Sequence, residues 1–410
     1  MTLAEDVFVR LDRALSDADA RAALFQAGDH GVRQPVHTVS VPADQFDVGT
    51  AMSWGDQAMG ASYVLLGGSE FADSKLAEQV VPRVRAKLSR EPIEDLRVDF
   101  ADGYGVRPDE EEDAAAVAAG HAIAGLVGRP ATPPFVGVRV KPLDPATRHR
   151  AVHTLDLLLG AAVPNGLPAG FVITLPRVSS PDQVAAFADV CSALEHAHAL
   201  PSGRLRFGIQ IGSTQPVLDL DGTSAVTRMI LAGQGRVAGL HYDTYSYSAA
   251  VGVVSPLHGL DHPAADHAKS VLQLAAAATG VWLSDGACNV LPSGDADQLR
   301  AVGRLHARLV RRALERGFYQ GWDLHPGQLV TRYAATYGFY RQHLAAASDR
   351  LHAYLAGQSS GIVEQTATAA SLAGLLVRGL HCGALDADEI EARTGATIAD
   401  LDALQRRRTG

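Results

Sequence analysis

A single closed α/β barrel of eight strand–helix units, with a helical extension behind it, is the fold this sequence predicts. Three observations point to it. Short apolar, β-branched runs alternate with alanine-rich helical stretches for most of the length, which is the pattern of a parallel sheet. Eight such runs span about 290 residues, near the about 250 typical of one (β/α)8 barrel. No GxGxxG comes after any of them, so the fingerprint of the competing open, doubly wound sheet is missing. With 410 residues and 47% hydrophobic content, the chain can bury a core of this size.

The strands expected are His37–Val41, Leu96–Phe100, Val136–Val140, Phe171–Leu175, Arg206–Ile211, Val237–Tyr242, Val281–Leu283 and Gly321–Leu324. The intervening helices carry matching punctuation. Ser180 is an N-cap ahead of Pro181 and Asp182, Pro263 and Asp266 open another helix, and a long one runs from Asp295 to Arg316 and stops at Gly317. The acidic run Asp109–Asp113 reads as a solvated helix start favoured by the N-terminal dipole. Beyond Leu344 no strand is expected. Leu351–Leu355, Glu364–Leu380, Asp386–Arg393 and Ile398–Arg408 read as helices with apolar faces. The expected division is a barrel over residues 1–343 and a helical extension over 344–410, packed on the barrel or on a second subunit.

Composition narrows the partners. A formal charge of −9, from 36 basic and 45 acidic residues with no basic block, argues against nucleic acid and anionic membranes. Three cysteines without CxxC spacing fit a reducing compartment and argue against a disulfide framework or structural zinc. The acidic start lacks a signal-peptide pattern, and no run approaches the roughly 20 apolar residues that span a bilayer. The expectation is a cytoplasmic protein with a small-molecule partner. The helical tail and alanine-rich surface point to a homo-oligomer.

A barrel puts the carboxyl ends of all its strands on one rim, where active sites of this fold are built. The polar groups at or just past the strand ends are Asp102; then Arg139 and Lys141, two apart and so on one face; Thr174 and Arg177; Gln210, Ser213, Thr214 and Gln215; His241 and Asp243; Ser284-Asp285-Gly286; and Asp323 and His325. Asp99 lies inside an apolar run, where an unpaired carboxylate is costly. Asp102 sits at a glycine-flanked turn and is either an active-site acid or a strand-terminal Asx turn. Arg139, a guanidinium within an apolar strand, needs an anionic partner, either a ligand carboxylate or a barrel aspartate. His325 precedes a proline and reads as a turn histidine or a catalytic one.

Taken together, Val98–Arg107 (VDFADGYGVR), Val136–Leu143 (VGVRVKPL), Ile173–Val178 (ITLPRV), Phe207–Gln215 (FGIQIGSTQ), Gly239–Ser248 (GLHYDTYSYS) and Gly321–Gln328 (GWDLHPGQ) make the chain resemble the HpcH/HpaI aldolase and citrate lyase β-subunit family, in an aldolase-like branch. The resemblance covers roughly Val36 to Tyr340. It implies a phosphoenolpyruvate/pyruvate-type barrel in which Mg2+ or Mn2+, held by a Glu and an Asp, works with an arginine on a 2-oxo acid or its enolate. Three acidic positions of that pattern are changed. Ala101-Asp102 stands where the family has Glu-Asp, Gly212 where it has the metal-binding Glu, and Ser246 where it has the metal-binding Asp.

The expected function is therefore a carbon–carbon lyase of the aldolase or citrate lyase type, acting on a small 2-oxo acid or an acyl-CoA. Arg139 and Asp102 are the candidate catalytic groups, and Arg139, Lys141, Gln210, His241 and His325 the candidate substrate contacts. Asp243 and Asp102 are the remaining candidate ligands for Mg2+ or Mn2+. Two alternatives stand beside it: a barrel that has lost the metal acids and binds a carboxylate metabolite without lyase chemistry, and a condensing enzyme resembling malate synthase.

Overall fold

The computed structural model describes residues 4–25, 32–66, 74–129, 132–358 and 365–406. Helix α1 (Glu5–Phe25) precedes β1 (His37–Pro42), and α2 (Thr50–Leu65) and α3 (Ser74–Arg90) lead to β2 (Asp95–Asp99). Next come α4 (Asp109–Ala124), β3 (Phe135–Arg139), α5 (Arg148–Ala162), β4 (Phe171–Leu175), α6 (Pro181–Ala197), β5 (Arg206–Ile211), α7 (Val226–Ala232) and β6 (Val237–Tyr242). The chain continues through α8 (Thr244–Ala250), α9 (Pro263–Ala276), β7 (Trp282–Ala287), α10 (Ala296–Glu315), β8 (Gln320–Asp323) and α11 (Pro326–Leu355). It closes with α12 (Thr366–Cys382), α13 (Ala387–Thr394) and α14 (Ile398–Arg406). All eight strands are parallel, and β8 pairs with β1 to close a (β/α)8 barrel in sequential order. No described helix is long and apolar enough to cross a membrane.

The local signals act as their chemistry requires. The Ser180 hydroxyl accepts the Gln183 N–H at the start of α6, and Asp295 and Gln298 form a reciprocal capping box on α10. Gly317, just past α10, takes φ 83°, a conformation most side chains resist. Two expectations change. The acidic start of α4 is not wholly solvated: Glu112 is buried, 2.8 Å from Lys141 Nζ, and accepts from the Thr154 hydroxyl. The segment expected as a separate helix at Leu351–Leu355 is the last turn of α11, a 30-residue helix that crosses residues 343 and 344. Glu364, Arg407 and Arg408 lie outside the described residues.

Two apolar clusters flank the sheet. One fills the space between β2–β7 and helices α4–α9; the other joins β1, α2, α3 and α11 to the tail helices. The barrel interior differs from the stacked Val, Ile and Leu layers usual in this fold. Gln320 donates to Thr38, which donates to Asp95; Asp95 is ion-paired with Arg97, and Arg97 Nε donates to Thr174. Glycines make the room. A Cβ at Gly137 would meet Arg97 Nη1 at 3.1 Å, and one at Gly208 would meet His241 Nε2 at 2.4 Å. This polar column leads up to the rim.

Candidate active site at the carboxyl rim

Asp99 ends β2 and faces inward, two residues beyond Arg97. Its carboxylate accepts the backbone N–H of Ala101 at 2.7 Å and of Gly103 at 3.0 Å, folding the next turn tightly over the strand end. A Cβ at Gly103 would lie 2.7 Å from Asp99 Oδ2, so that turn needs glycine. Asp99 also accepts from Arg139 Nη1 at 3.2 Å. The inward carboxylate noted in the sequence is thus fully bonded.

Arg139, at the end of β3, is the centre of the rim. Its side chain is only 6% exposed, and every edge of its guanidinium is used: Nε to Gln210 Oε1 at 3.0 Å, Nη1 to Asp99, and Nη2 to Asp102 Oδ2 at 2.7 Å. Burial opposes its charge, but Asp99 and Asp102 outweigh that and hold it protonated. The other Asp102 oxygen accepts from Arg177 Nη2 at 2.7 Å, and both of these side chains are about half exposed, at 55% and 50%. Burial favours the neutral acid at Asp102, yet Arg139 and Arg177 prevail and keep its carboxyl below the usual range. Arg177 lies just past β4 with φ 54°, a left-handed conformation rare outside glycine and of the kind found at functional sites. The sequence placed Arg177 among the strand-end residues but gave no sign that it would turn toward Asp102.

The remaining candidates occupy distinct places. Lys141 Nζ is spent on Phe100 O, Gly105 O and Glu112, and so braces the Asp102 turn from behind. His241 lies within the barrel, where its Nδ1 accepts the Trp322 indole N–H; burial and the nearby Arg97 push its pKa down to about 3. His325 caps α11, its Nδ1 accepting the Gly327 N–H at 3.0 Å, and burial lowers its pKa. Asp243 caps α8, accepting the Ser246 N–H at 3.3 Å. Two strand-end acids turn away from the rim. Asp285 pairs with Lys269 in the helix layer, and Asp323 with Arg332 and His306. The cause is strand parity: on β8, Gln320 and Trp322 face the barrel, so Asp323 faces the helices.

Magnesium and manganese take hard oxygen ligands, carboxylates above all. The rim offers Asp99, Asp102 and Asp243, and each is engaged with backbone N–H groups or guanidinium groups. Among the described residues no three His, Cys, Asp or Glu side chains gather in a metal-holding group. A Cβ at Gly212 would lie 2.8 Å from Ser246 Cβ, so the place where the family resemblance puts a glutamate is closed by direct packing. The residues present do not fit the ion.

A family model described as a domain of unknown function (DUF6986) matches residues 15–409. No curated protein matches the chain in sequence. Among solved structures, a citrate lyase from Burkholderia xenovorans aligns with a TM-score of 0.57 at 17% identity, over 90% of this chain and 98% of that one. The malate synthase of Haloferax volcanii, in a magnesium/glyoxylate complex, aligns with a TM-score of 0.52 at 16% identity, over 93% of this chain and 100% of that one. At these identities the likeness is one of fold, and it is to barrels of the kind the motifs resemble.

Proposed function

The chain belongs to the DUF6986 family, and we propose that it is a carbon–carbon lyase that takes a small 2-oxo acid or an acyl-CoA at the carboxyl rim of the barrel. One observation carries this: Arg139, a buried guanidinium at a strand end, has its plane fixed by Asp99 and Gln210 and turns Nη2 to a carboxylate at the rim, that of the half-exposed Asp102. A planar, oriented fork is suited to a carboxylate. In a 4-hydroxy-2-oxo acid the C4 hydroxyl gives up its proton and becomes a carbonyl as the C3–C4 bond breaks. The bond's electron pair passes to C3 and the 2-oxo oxygen as an enolate, which a proton returned to C3 converts to the 2-oxo acid. Pre-oriented guanidinium groups stabilise the enolate charge as it develops. Asp102, half exposed at the mouth, is the group placed to take or return the proton. Lys141 acts through the turn it braces. The divalent ion has no part here, because the donor set does not suit it.

The test is turnover. Release of a 2-oxo acid from aldol adducts should survive EDTA and fall roughly thirtyfold or more in Arg139→Ala, the cost of losing one partner of a buried charged contact. Equal rates in the variant and the parent would remove the assignment. A second reading, ligand binding without bond cleavage, is favoured by the closure of Gly212 against Ser246. It predicts carboxylate binding with no turnover of any adduct.

A further inference from the structure

We propose that Asp102 is a built-in stand-in for the ligand's carboxylate, holding Arg139 and Arg177 together as a two-guanidinium clamp until a ligand displaces it. The proposal rests on the carboxylate-binding role of Arg139 and deepens it by adding a second arginine and a resident competitor.

Three features carry it. First, the two Asp102 oxygens are divided between the arginines, Oδ2 to Arg139 Nη2 and Oδ1 to Arg177 Nη2, both at 2.7 Å. A bound carboxylate would bridge the same two donors. Second, the three groups are unequally anchored. Arg139 is held from below by Asp99 and Gln210, whereas Asp102 and Arg177 are half exposed, and among the described residues no other hydrogen bond ties the Asp102 carboxylate in place. Rotation of one short side chain therefore frees both donors, while the turn itself stays pinned by the bonds from Ala101 and Gly103 to Asp99. Third, among the described residues Asp102 is the carboxylate both guanidinium groups share: Asp99 pairs with Arg139 alone, and Asp243 acts on Arg139 only through space. With Asp102 swung out, one ligand carboxylate replaces it charge for charge. The left-handed backbone at Arg177 accompanies a side chain that reaches Asp102. No metal is needed to neutralise the ligand in this arrangement, and the freed Asp102 is then a carboxylate without its two cations.

Calorimetric titration of EDTA-treated full-length protein with oxalate tests this. Asp102→Asn should bind oxalate at least tenfold tighter than the parent, and Arg177→Gln at least tenfold weaker. Asp243→Asn removes a rim charge that is bonded to neither arginine, and should change affinity less than threefold. Unchanged or weaker binding in Asp102→Asn, or an equal gain in Asp243→Asn, would overturn the stand-in role while Arg139→Ala still abolished binding. If Arg139→Ala binds as the parent does, or if neither the parent nor Asp102→Asn binds at all, the underlying carboxylate site fails as well. Should Asp102→Asn not fold, Arg177→Gln decides alone: affinity equal to the parent's would overturn the clamp.

Discussion

At the scale of single residues, burial decides which groups carry charge. Burial lowers the pKa of His37 to about 4 against the pull of Asp323 and Glu94, and that of His241 to about 3 with help from Arg97; burial also lowers that of His306. An unfolded histidine titrates near 6.5, so between that value and the native one the unfolded chain binds protons that the native chain refuses. These histidines therefore stabilise the fold fully above about pH 6.5, and that stability is lost as pH falls toward 4, on the order of 3 kcal/mol each for His37 and His241, with His306 adding to the loss in the same direction. Asp95, raised by burial to about 6, has the opposite sign: it favours the native state more at the acid end of the same window. One opposing carboxyl against three histidines leaves a net loss with acid. The melting temperature should drop steeply between pH 6.5 and 4.5, and a flat profile would contradict the neutral, buried histidines. The same scale limits what a sequence reveals about a site. Asp102, Arg139 and Gln210 were legible as strand-end groups that meet on one rim. The turn of Arg177 toward Asp102 was not, because a turn residue's side-chain direction depends on a backbone conformation with no sequence marker there.

Among elements, strand parity and helix contacts sort the acids that end strands. Asp323 faces outward between Arg332 and His306, with no solvent contact, and fixes β8 to α10 and α11. Asp323→Asn leaves the Arg332 guanidinium buried without its counter-ion, and should cost about 3–5 kcal/mol in urea unfolding. A loss below about 1 kcal/mol would show that the pair is dispensable. Between β5 and α8, Gly212→Glu forces a side chain into Ser246. It should destabilise by about 1–3 kcal/mol and gain no Mn2+-dependent thermal shift. The strands were readable to within a few residues because their outward face is apolar, with Val39, Leu96, Val98, Val138 and Ile173, even though the inward face carries Asp95, Arg97, Thr174 and His241. The exception is β7, expected at Val281–Leu283 and found at Trp282–Ala287. Its Ser284-Asp285-Gly286 run, expected among the polar groups at the strand end, continues as strand; Asp285 pairs with Lys269 and the register with β8 shifts between Ser284 and Ala287.

For the whole molecule, the helical tail and the barrel share one apolar body. Helix α11 starts at the rim and runs without a break past the boundary expected at residue 343, and the Tyr337 hydroxyl donates to Cys382 O while Arg341 pairs with Glu389. Leu376, Val377, Leu385, Ile390 and Leu401 of the tail are buried with α11 and the outer face of β1. Each such side chain contributes about 1.5–3 kcal/mol on burial, so a chain ending at residue 343 should fail to melt cooperatively. Cooperative melting at the parent temperature would instead make the tail an accessory. Packing of the tail on the barrel or on a second subunit was already expected from its apolar helix faces; what the sequence did not reveal is that α11 runs unbroken across residue 343, with Arg341 held by Glu389.

We propose a carboxylate site built on guanidinium groups as the barrel's central feature. The most direct test is thermal denaturation of EDTA-treated protein with oxalate, with and without added Mg2+, in the parent and in Arg139→Ala. Oxalate alone should stabilise the parent, by about 2.7 kcal/mol at a hundredfold excess over its dissociation constant, with no further gain from Mg2+ and no shift in Arg139→Ala. Stabilisation that appears only when Mg2+ is present, or that persists in Arg139→Ala, would contradict it.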